Sequence, residues 1–263
     1  MTALLLFVAR LAIIIIMKKK IGVISDVHGN FAALTAILQL LDEEKCNEII
    51  HTGDVISIGP NSFECLELLL SRSDVTLVLG NHDRDFAMNH TAVRNLSNVP
   101  AEHKVQVFAT LTEEQRQKVE KFPLFVTRNC GGATLAFAHY AFVQPWTSME
   151  DYPFMPLQTE PTAEKFDKIF ASLDKMNCDA VFFGHKHSPC DIVGKRIYVD
   201  VGSVGCHPDP IACGIVIEYD ENGWSYRRVS VPYDMNVIRK AMLEKLACGD
   251  HLFDYYFLKH SDK

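Results

Sequence analysis

Five short apolar segments of this sequence each stop at residues that could bind a metal ion. The first of them, Ile21–Ile24, leads to Asp26 and His28. These two residues lie two positions apart, so on extended backbone both side chains would leave on the same face. The other four segments, at residues 48–51, 75–79, 134–138 and 180–183, lead to Asp54, Asn81, His139, His185 and His187. Functional groups of open α/β sheets collect beyond the carboxyl ends of the strands, and we therefore expect these side chains at one edge.

The number and type of these groups predict two metal ions. A structural zinc ion takes four protein ligands and a catalytic zinc ion about three, so seven candidate ligands are too many for one ion. Asp54 follows a middle strand, and we expect its carboxylate to bridge the two ions. Imidazole, carboxylate and amide donors without a thiolate fit Mn, Fe, Ni, Co, Zn or Mg. Two divalent ions about 4 Å apart suit the hydrolysis of a phosphoester.

His82 is the predicted catalytic acid. It lies between the candidate ligand Asn81 and Asp83. An imidazole held by a carboxylate can donate a proton to a leaving alkoxide. We expect Asp83 to select the tautomer of His82 and to raise its basicity.

These residues resemble the motifs of the calcineurin-like metallophosphoesterases. The motifs are Asp26-Val-His28, Gly53-Asp54, Gly80-Asn-His-Asp83, His139 and Gly184-His-Lys-His187, in the order of that family and within residues 20–205. The resemblance implies a mixed α/β fold, a four-layer αββα sandwich of two packed mixed sheets. It also implies hydrolysis of a phosphodiester or phosphomonoester, with a metal-bridging hydroxide as nucleophile and His82 as general acid.

The resemblance divides the candidate ligands between the two metals by position. One metal would be held by Asp26, His28, Asp54 and His187, and the other by Asp54, Asn81, His139 and His185. The alternative is a catalytically silent scaffold or binding module with a phosphoesterase fold. It is disfavoured because every ligand position is filled.

One motif departs from the protein-phosphatase pattern. Many family members have Gly-Asp-x-x-Asp-Arg-Gly where this chain has Gly-Asp-Val-Ile-Ser-Ile-Gly at 53–59. Ser57 and Ile58 replace the acid and the arginine that binds phosphate in those enzymes. The segments at 53–60, 202–205 and 231–234 resemble instead the small prokaryotic-type phosphoesterases. The substrate-binding residues and the choice between monoester and diester stay open.

The elements that must position these groups alternate between strand and helix. Apolar periodicity and turn signals predict helices at 31–44, 63–70, 112–122, 163–176 and 234–246, and further β-rich runs at 196–201, 214–219 and 224–231. Strand–helix–strand–helix–strand at the start predicts parallel βαβ units. Residues 84–104 are predicted to be a loop. Residues 140–161 are predicted to be either a packed loop or a lid facing the substrate beside His139.

Composition limits the class of ligand. The chain has 263 residues, 48% of them hydrophobic and 22% charged, with a formal net charge of −7. No basic cluster follows Lys18–Lys20, which argues against nucleic acid as a bulk ligand. A small phosphorylated substrate remains compatible, because bound cations can supply positive charge. The eight cysteines form no Cys-x-x-Cys and predict reduced thiols in a reducing compartment.

Residues 1–17 are almost wholly apolar, broken only by Arg10. The segment is shorter than the roughly 20 apolar residues that a spanning helix needs. It is either an extension ahead of a true start at Met17 or a weak membrane tether. We favour the first, and therefore expect a single domain over 18–263, a cytoplasmic protein and no stable membrane insertion.

The remaining histidines are expected to have other roles. His51 is predicted to pack in the interior. His207 follows the segment at 202–205 and could face the site. The others are predicted to lie on the surface: His90, His103, His251 and His260.

Overall fold

The computed structural model describes residues 18–91 and 99–258. The predicted extension at residues 1–17, residues 92–98 of the predicted loop and His260 lie outside the described residues. Among the described residues, no helix combines the length and the apolar character that a membrane span requires.

Ten strands occur in the described residues, and they form two sheets. They are β1 Lys19–Ile24, β2 Glu48–His51, β3 Val75–Leu77, β4 Phe125–Cys130, β5 Ala133–Ala138, β6 Ala180–Phe183, β7 Cys190–Val193, β8 Ile197–Asp200, β9 Ile211–Asp220 and β10 Gly223–Pro232. The first sheet has the order β10-β9-β1-β2-β3 and the second β4-β5-β6-β8-β7. Strands β1, β2 and β3 are parallel to one another, as are β5, β6 and β8, and antiparallel strands complete both sheets.

The two sheets pack face to face through apolar side chains. Alternate residues of a strand point to opposite faces of the sheet, so one set of side chains can face the other sheet. Ile21 and Val23 of β1 share one apolar cluster with Phe137 of β5 and Phe182 of β6. Ile24, which points the other way, lies in the cluster that contains the buried face of the first helix. The result is two mixed sheets with helices outside, the four-layer αββα fold that the sequence predicted.

Helices connect the strands and cover the outer faces. In the described residues they are α1 Phe31–Glu43, α2 Ser62–Ser71, α3 Asn81–Ala87, α4 Ala101–Ala109, α5 Glu113–Val119, α6 Ala163–Ile169, α7 Met235–Lys245 and α8 Gly249–Phe253, with a 3₁₀ helix at Phe170–Met176 and a π-helical turn at Asp254–Leu258. A capping box begins α5, with Thr112 Oγ1 accepting from the N–H of Gln115 at 3.2 Å.

One prediction about these elements was wrong, and two strands were not predicted. Residues 84–104 are not simply a loop, because α3 extends to Ala87 and α4 begins at Ala101. Strands β4 and β7 were missed. Both are edge strands whose side chains are largely exposed or half-buried. Sequences of such strands lack the long apolar run on which the strand predictions relied.

His103 was predicted to lie on the surface, and it is fully buried on α4. The sequence predicted a loop over 84–104, and no buried helix face is expected in a loop. Burial lowers the pKa of His103 from 6.5 to about 4.

The buried His103 should make the protein less stable in mild acid. The unfolded chain binds a proton on this ring below pH 6.5, whereas the folded chain resists it until about pH 4. Stability attributable to His103 is therefore present above the unfolded pKa and is lost as pH falls. At 1.36 kcal/mol per pKa unit, we expect a loss of about 2 kcal/mol between pH 7 and pH 5.

Urea unfolding of His103→Gln at pH 7 and pH 5 measures this effect. We expect the variant to lose about 2 kcal/mol less than wild type over that interval. His251→Gln, at an exposed position on α8, serves as the matched control and should follow wild type. An identical pH dependence in His103→Gln and wild type would contradict the prediction.

Candidate metal centre

The carboxyl ends of the parallel strands in both sheets meet at one edge of the sandwich. From the first sheet, β1 leads to Asp26 and His28, β2 to Asp54, and β3 to Asn81 at the start of α3. From the second sheet, β5 leads to His139, and β6 leads to His185 and His187. All seven predicted ligands are brought together here, and we call them the candidate ligands.

The way in which Asp26 and His28 converge differs from the prediction. They do not lie on extended backbone, because β1 ends at Ile24 and both residues are left-handed, with φ of 54° and 47°. Left-handed backbone is also found at Asp54, His185 and His187. Such conformations cost about 1–3 kcal/mol each and cluster at functional sites. Hydrogen bonds between the loops offset this cost, including Asp26 N to Gly53 O at 3.0 Å.

Each of the two aspartates has one oxygen held by the backbone of another motif. His185 N donates to Asp26 Oδ2 at 2.9 Å, and His82 N donates to Asp54 Oδ1 at 2.8 Å. These approaches require Gly184 and Gly80, since a Cβ at Gly184 would lie 2.3 Å from Asp26 Oδ2 and one at Gly80 would lie 2.1 Å from Asp54 Oδ1. The second oxygen of each aspartate is thereby directed toward the histidine rings.

The free oxygens lie among imidazole nitrogens. Asp26 Oδ1 is 3.2 Å from Nε2 of His187 and 3.5 Å from Nε2 of His28. It is buried and accepts no hydrogen bond among the described residues. Asp54 Oδ2 is 3.2 Å from Nε2 of His139 and 3.8 Å from Nε2 of His28. Asp54 therefore lies between the two groups of ligands.

Backbone carbonyls orient two of the histidines. Nδ1 of His139 is 3.1 Å from Thr52 O, and Nδ1 of His28 is 3.3 Å from Ile56 O. A carbonyl can only accept, so Nδ1 carries the proton and Nε2 presents its lone pair to the site. A hydrogen bond from the second ring nitrogen to a backbone carbonyl is the usual support of a metal-binding histidine.

Ring nitrogens lie close to one another throughout this centre. Nε2 of His28 is 3.0 Å from Nε2 of His187, and Nε2 of His139 is 3.1 Å from Nδ1 of His185. Asn81 Oδ1 also lies 2.9 Å from Nε2 of His139, and it faces only acceptors. With the second proton removed, each of these nitrogens offers a lone pair to a cation placed between them. The donor set therefore fits divalent cations, with the oxygen of Asn81 as a ligand.

Residues 19–222 match the family model of the calcineurin-like phosphoesterase superfamily domain. The chain belongs to the calcineurin-like phosphoesterase superfamily.

Whole-length similarity supports the fold of this superfamily. An uncharacterized protein of Methanocaldococcus jannaschii is 25% identical over 257 residues, which cover 90% of this chain and 98% of that protein. The crystal structure of a metallophosphoesterase from Sphaerobacter thermophilus shares the fold, with a TM-score of 0.65, 23% identity and coverage of 88% of this chain and 99% of that one.

A named relative matches only in part. The symmetrical bis(5'-nucleosyl)-tetraphosphatase of Psychromonas ingrahamii is 36% identical over 75 residues. The match covers 28% of this chain and 27% of that enzyme, about a quarter of its length.

Electrostatics in this superfamily member favour a cation at the candidate ligands. Burial alone would lower the pKa of His139, but the charge and hydrogen bond of Asp54, together with the charges of Asp26 and Asp83, raise it to about 9. Burial would likewise raise the pKa of Asp54, yet the neighbouring His139 and His82 hold it well below its usual range. Both shifts report strong attraction for positive charge at the point where Asp54 and His139 meet.

The predicted role of Asp83 as the partner of His82 is contradicted by the structure. Its Oδ2 accepts from the N–H groups of Asp54 at 2.8 Å and Gly80 at 3.1 Å, and its Oδ1 from those of Val55 at 3.0 Å and Ile56 at 3.2 Å. Among the described residues, no hydrogen bond joins Asp83 to the His82 ring. The carboxylate is occupied because helix α3 begins at Asn81, which turns Asp83 toward the loop that carries Asp54.

Replacing Asp83 with alanine should therefore destabilise the fold. It would leave four buried N–H groups without their acceptor, and each unsatisfied group costs about 1–3 kcal/mol before water or relaxation compensates. We expect the free energy of unfolding to fall by about 3–5 kcal/mol. Chemical denaturation measures it, with the exposed Asp250→Ala as control.

If Asp83 instead oriented the His82 ring, as the sequence predicted, Asp83→Ala would have the opposite effect. It requires a variant that is as stable as wild type, binds metal normally and turns over slowly. That result would overturn the structural role assigned to Asp83.

His82 lies beside the candidate ligands. Its ring is 7% exposed and makes an edge contact with His28, with centroids 5.1 Å apart. Burial lowers the pKa of His82 to about 3, so the ring is neutral at neutral pH. The negative charge of a bound phosphate would favour the charged ring, and the charged ring can pass a proton to a substrate oxygen.

The two other histidines near this edge behave differently. His51 is buried, as predicted, and its Nδ1 accepts from the N–H of Gly53 at 3.1 Å. His207 is half-buried and its Nδ1 accepts from the N–H of Asp209 at 3.1 Å. His207 belongs to none of the potential metal-binding groups among the described residues.

The segment at 140–161 packs onto the site. Phe142 and Phe154 are buried and form an isolated β-bridge, and the Phe154 ring contacts His139 edge-on with centroids 5.4 Å apart. Arg84 Nη2, in the helix that carries His82, donates to Glu150 O at 2.7 Å. These contacts show that the segment is packed, and they place it beside the candidate ligand His139.

Sequence analysis missed one residue of this centre. Cys206 lies close to His28 and His187, and their potential ligand atoms are within 4.8 Å of one another. A signal was present, since Cys206 directly follows the segment 202–205, but the prediction considered only its neighbour His207.

Proposed function

We propose that this protein is a dinuclear metal-dependent phosphoesterase that hydrolyses a small phosphorylated substrate. The observation that carries the proposal is the position of Asp54 Oδ2, between His28 Nε2 at 3.8 Å and His139 Nε2 at 3.2 Å. A carboxylate placed between two sets of nitrogen donors is suited to bridging two ions. Membership of the calcineurin-like phosphoesterase superfamily supports the class of reaction.

The candidate ligands would hold the ions in two groups that share Asp54. Asp26, His28 and His187 would complete one group, and Asn81, His139 and His185 the other. When bound, two divalent cations activate water and neutralise the charge on the phosphate oxygens.

The chain's own residues have three tasks in this proposal. Backbone N–H groups of His82 and His185 hold the aspartates in fixed orientations. The carbonyls of Thr52 and Ile56 hold two histidine tautomers. The His82 ring, charged beside the anionic substrate, passes a proton to the leaving oxygen as its bond to phosphorus breaks, and thereby acts as the general acid.

A negatively charged protein can bind an anionic substrate here because the cations reverse the local charge. Both monoesters and diesters fit this chemistry.

The partial match to a symmetrical bis(5'-nucleosyl)-tetraphosphatase adds dinucleoside polyphosphates as a third class of substrate to be tested. We also propose that residues 18–263 form a single domain and that the protein is cytoplasmic.

An activity panel tests the function. The purified chain is freed of metal with a chelator, reloaded with Mn, Ni, Co, Zn or Mg, and assayed on phosphomonoesters, phosphodiesters and a dinucleoside tetraphosphate. We expect hydrolysis of at least one class, with two metal equivalents per chain and no activity in the metal-free protein. Two bound equivalents without hydrolysis of any class would favour the silent binding module instead.

A further inference from the structure

The segment 203–205, which precedes Cys206, is hydrogen-bonded to the loop that carries Asp26. Gly205 N donates to Asp26 O at 2.9 Å, and Ser203 Oγ donates to the same oxygen at 2.8 Å. Ser203 Oγ in turn accepts from Cys206 N at 2.7 Å. The close approach requires a glycine, since a Cβ at Gly205 would lie 1.8 Å from Val27 O. The position of Cys206 is therefore fixed relative to Asp26.

The side chain of Cys206 reaches the first group of candidate ligands. Its Sγ and one ring nitrogen each of His28 and His187 all lie within 4.8 Å of one another. Cys206 is largely buried, with 4% of the residue exposed. Potential ligand atoms this close together are compatible with donors that surround one ion.

A second observation points to a ligand at the same place. Asp26 Oδ1 is buried, accepts no hydrogen bond among the described residues, and lies 3.2 Å from His187 Nε2 and 3.5 Å from His28 Nε2. An unpaired buried carboxylate oxygen is costly unless a cation or a donor satisfies it. A buried carboxylate oxygen and a thiol therefore both lie near the same two imidazole rings.

We propose that the Cys206 sulfur is an additional donor to the metal held by Asp26, His28 and His187. This inference rests on the proposed function, because it concerns the same metal centre. On binding, the S–H bond breaks, a sulfur–metal bond forms, and the proton passes to solvent. A coordinating thiol is deprotonated outright by the metal.

A thiolate changes which metals this centre prefers. The sequence predicted a donor set without sulfur, which suits hard and borderline ions such as Mg and Mn. Soft thiolate ligands select Zn and other thiophilic ions. The two metal sites of this protein are therefore expected to differ, with the thiophilic ion at the Cys206 side.

Spectroscopy of the full-length protein tests the inference independently of catalysis. We expect the cobalt(II)-loaded wild type to show a near-ultraviolet thiolate-to-cobalt charge-transfer band. Cys206→Ser should lose the band while retaining the visible d–d bands of cobalt. Cys65→Ser should keep it, because Cys65 is equally buried but lies on α2 and belongs to none of the potential metal-binding groups among the described residues.

X-ray absorption spectroscopy of the wild type detects sulfur bound to the metal directly. It therefore tests the inference even if Cys206→Ser does not fold. A zinc-loaded sample should show a sulfur shell at about 2.3 Å, beyond the nitrogen and oxygen shell at about 2.0–2.2 Å. Competition between cadmium and manganese adds a third measurement. Cys206→Ser should shift the ratio of dissociation constants away from cadmium, and Cys65→Ser should not.

The outcomes separate this inference from the proposed function. Two bound cobalt equivalents without a charge-transfer band, or a zinc shell without sulfur, would overturn the role of Cys206 and leave the dinuclear site standing. A chain that binds no metal under any condition would overturn both.

Discussion

Asp54→Asn is expected to abolish phosphoesterase activity and to reduce the metal content below two ions per chain. The substitution keeps the shape of the side chain and removes its charge, and Asp54 Oδ2 lies between the two groups of candidate ligands. Stabilisation of charge by bound metals is worth several kcal/mol in the transition state. At 1.36 kcal/mol per tenfold, we expect kcat/KM to fall by at least about 10³-fold.

The measurement pairs kinetics with elemental analysis of the same samples. Asp250→Asn is the matched control, since Asp250 is exposed on α8 and outside the potential metal-binding groups among the described residues. Circular dichroism and denaturation would show whether the Asp54 variant remains folded. Two tightly bound ions with activity intact in Asp54→Asn would refute the bridging role.

The location of the candidate ligands could be predicted from the sequence because it follows from topology. Short apolar runs predict buried strands, and parallel strands present their carboxyl ends at a common edge. His139 and Asp54 come from different sheets, yet each directly follows or closely follows such a run. To predict that these side chains lie close together, it was enough to know that the strands are parallel and the loops short.

The backbone that orients the ligands could not be predicted in the same way. The left-handed conformations of Asp26 and His28 depend on hydrogen bonds to the loop at 53–55, which is distant in sequence. Aspartate, asparagine and histidine adopt this conformation more readily than other residues, so composition allowed it without requiring it. Tertiary contacts decided the outcome.

Asp83 shows the limit of arguing from sequence neighbours. Adjacency in the sequence predicted a histidine–carboxylate pair, but consecutive helical residues point in directions about 100° apart. Because α3 begins at Asn81, Asp83 turns away from the His82 ring to accept four backbone N–H groups. Cys206 is the converse case. It lies 178 positions from His28 in the sequence, and the fold brings the two residues together.

His82→Ala is expected to lower turnover by about 10²–10⁴-fold, the usual contribution of a positioned proton donor. The loss should be largest for alkyl esters, whose leaving oxygen needs a donor. It should shrink for nitrophenyl esters, whose leaving group is stable as an anion. The backbone N–H that donates to Asp54 Oδ1 is retained in the alanine variant, so the orientation of Asp54 should persist.

Metal content distinguishes this role from metal binding by His82. One nitrogen of His82 lies within 4.8 Å of potential ligand atoms of His28 and Asp54, so a ligand role is the direct competitor. If His82 donates to the leaving oxygen, His82→Ala keeps two ions and loses rate selectively on the alkyl substrate, while the exposed His251→Ala matches wild type. An equal loss on both substrates, or the departure of one ion, would show that His82 is not the general acid.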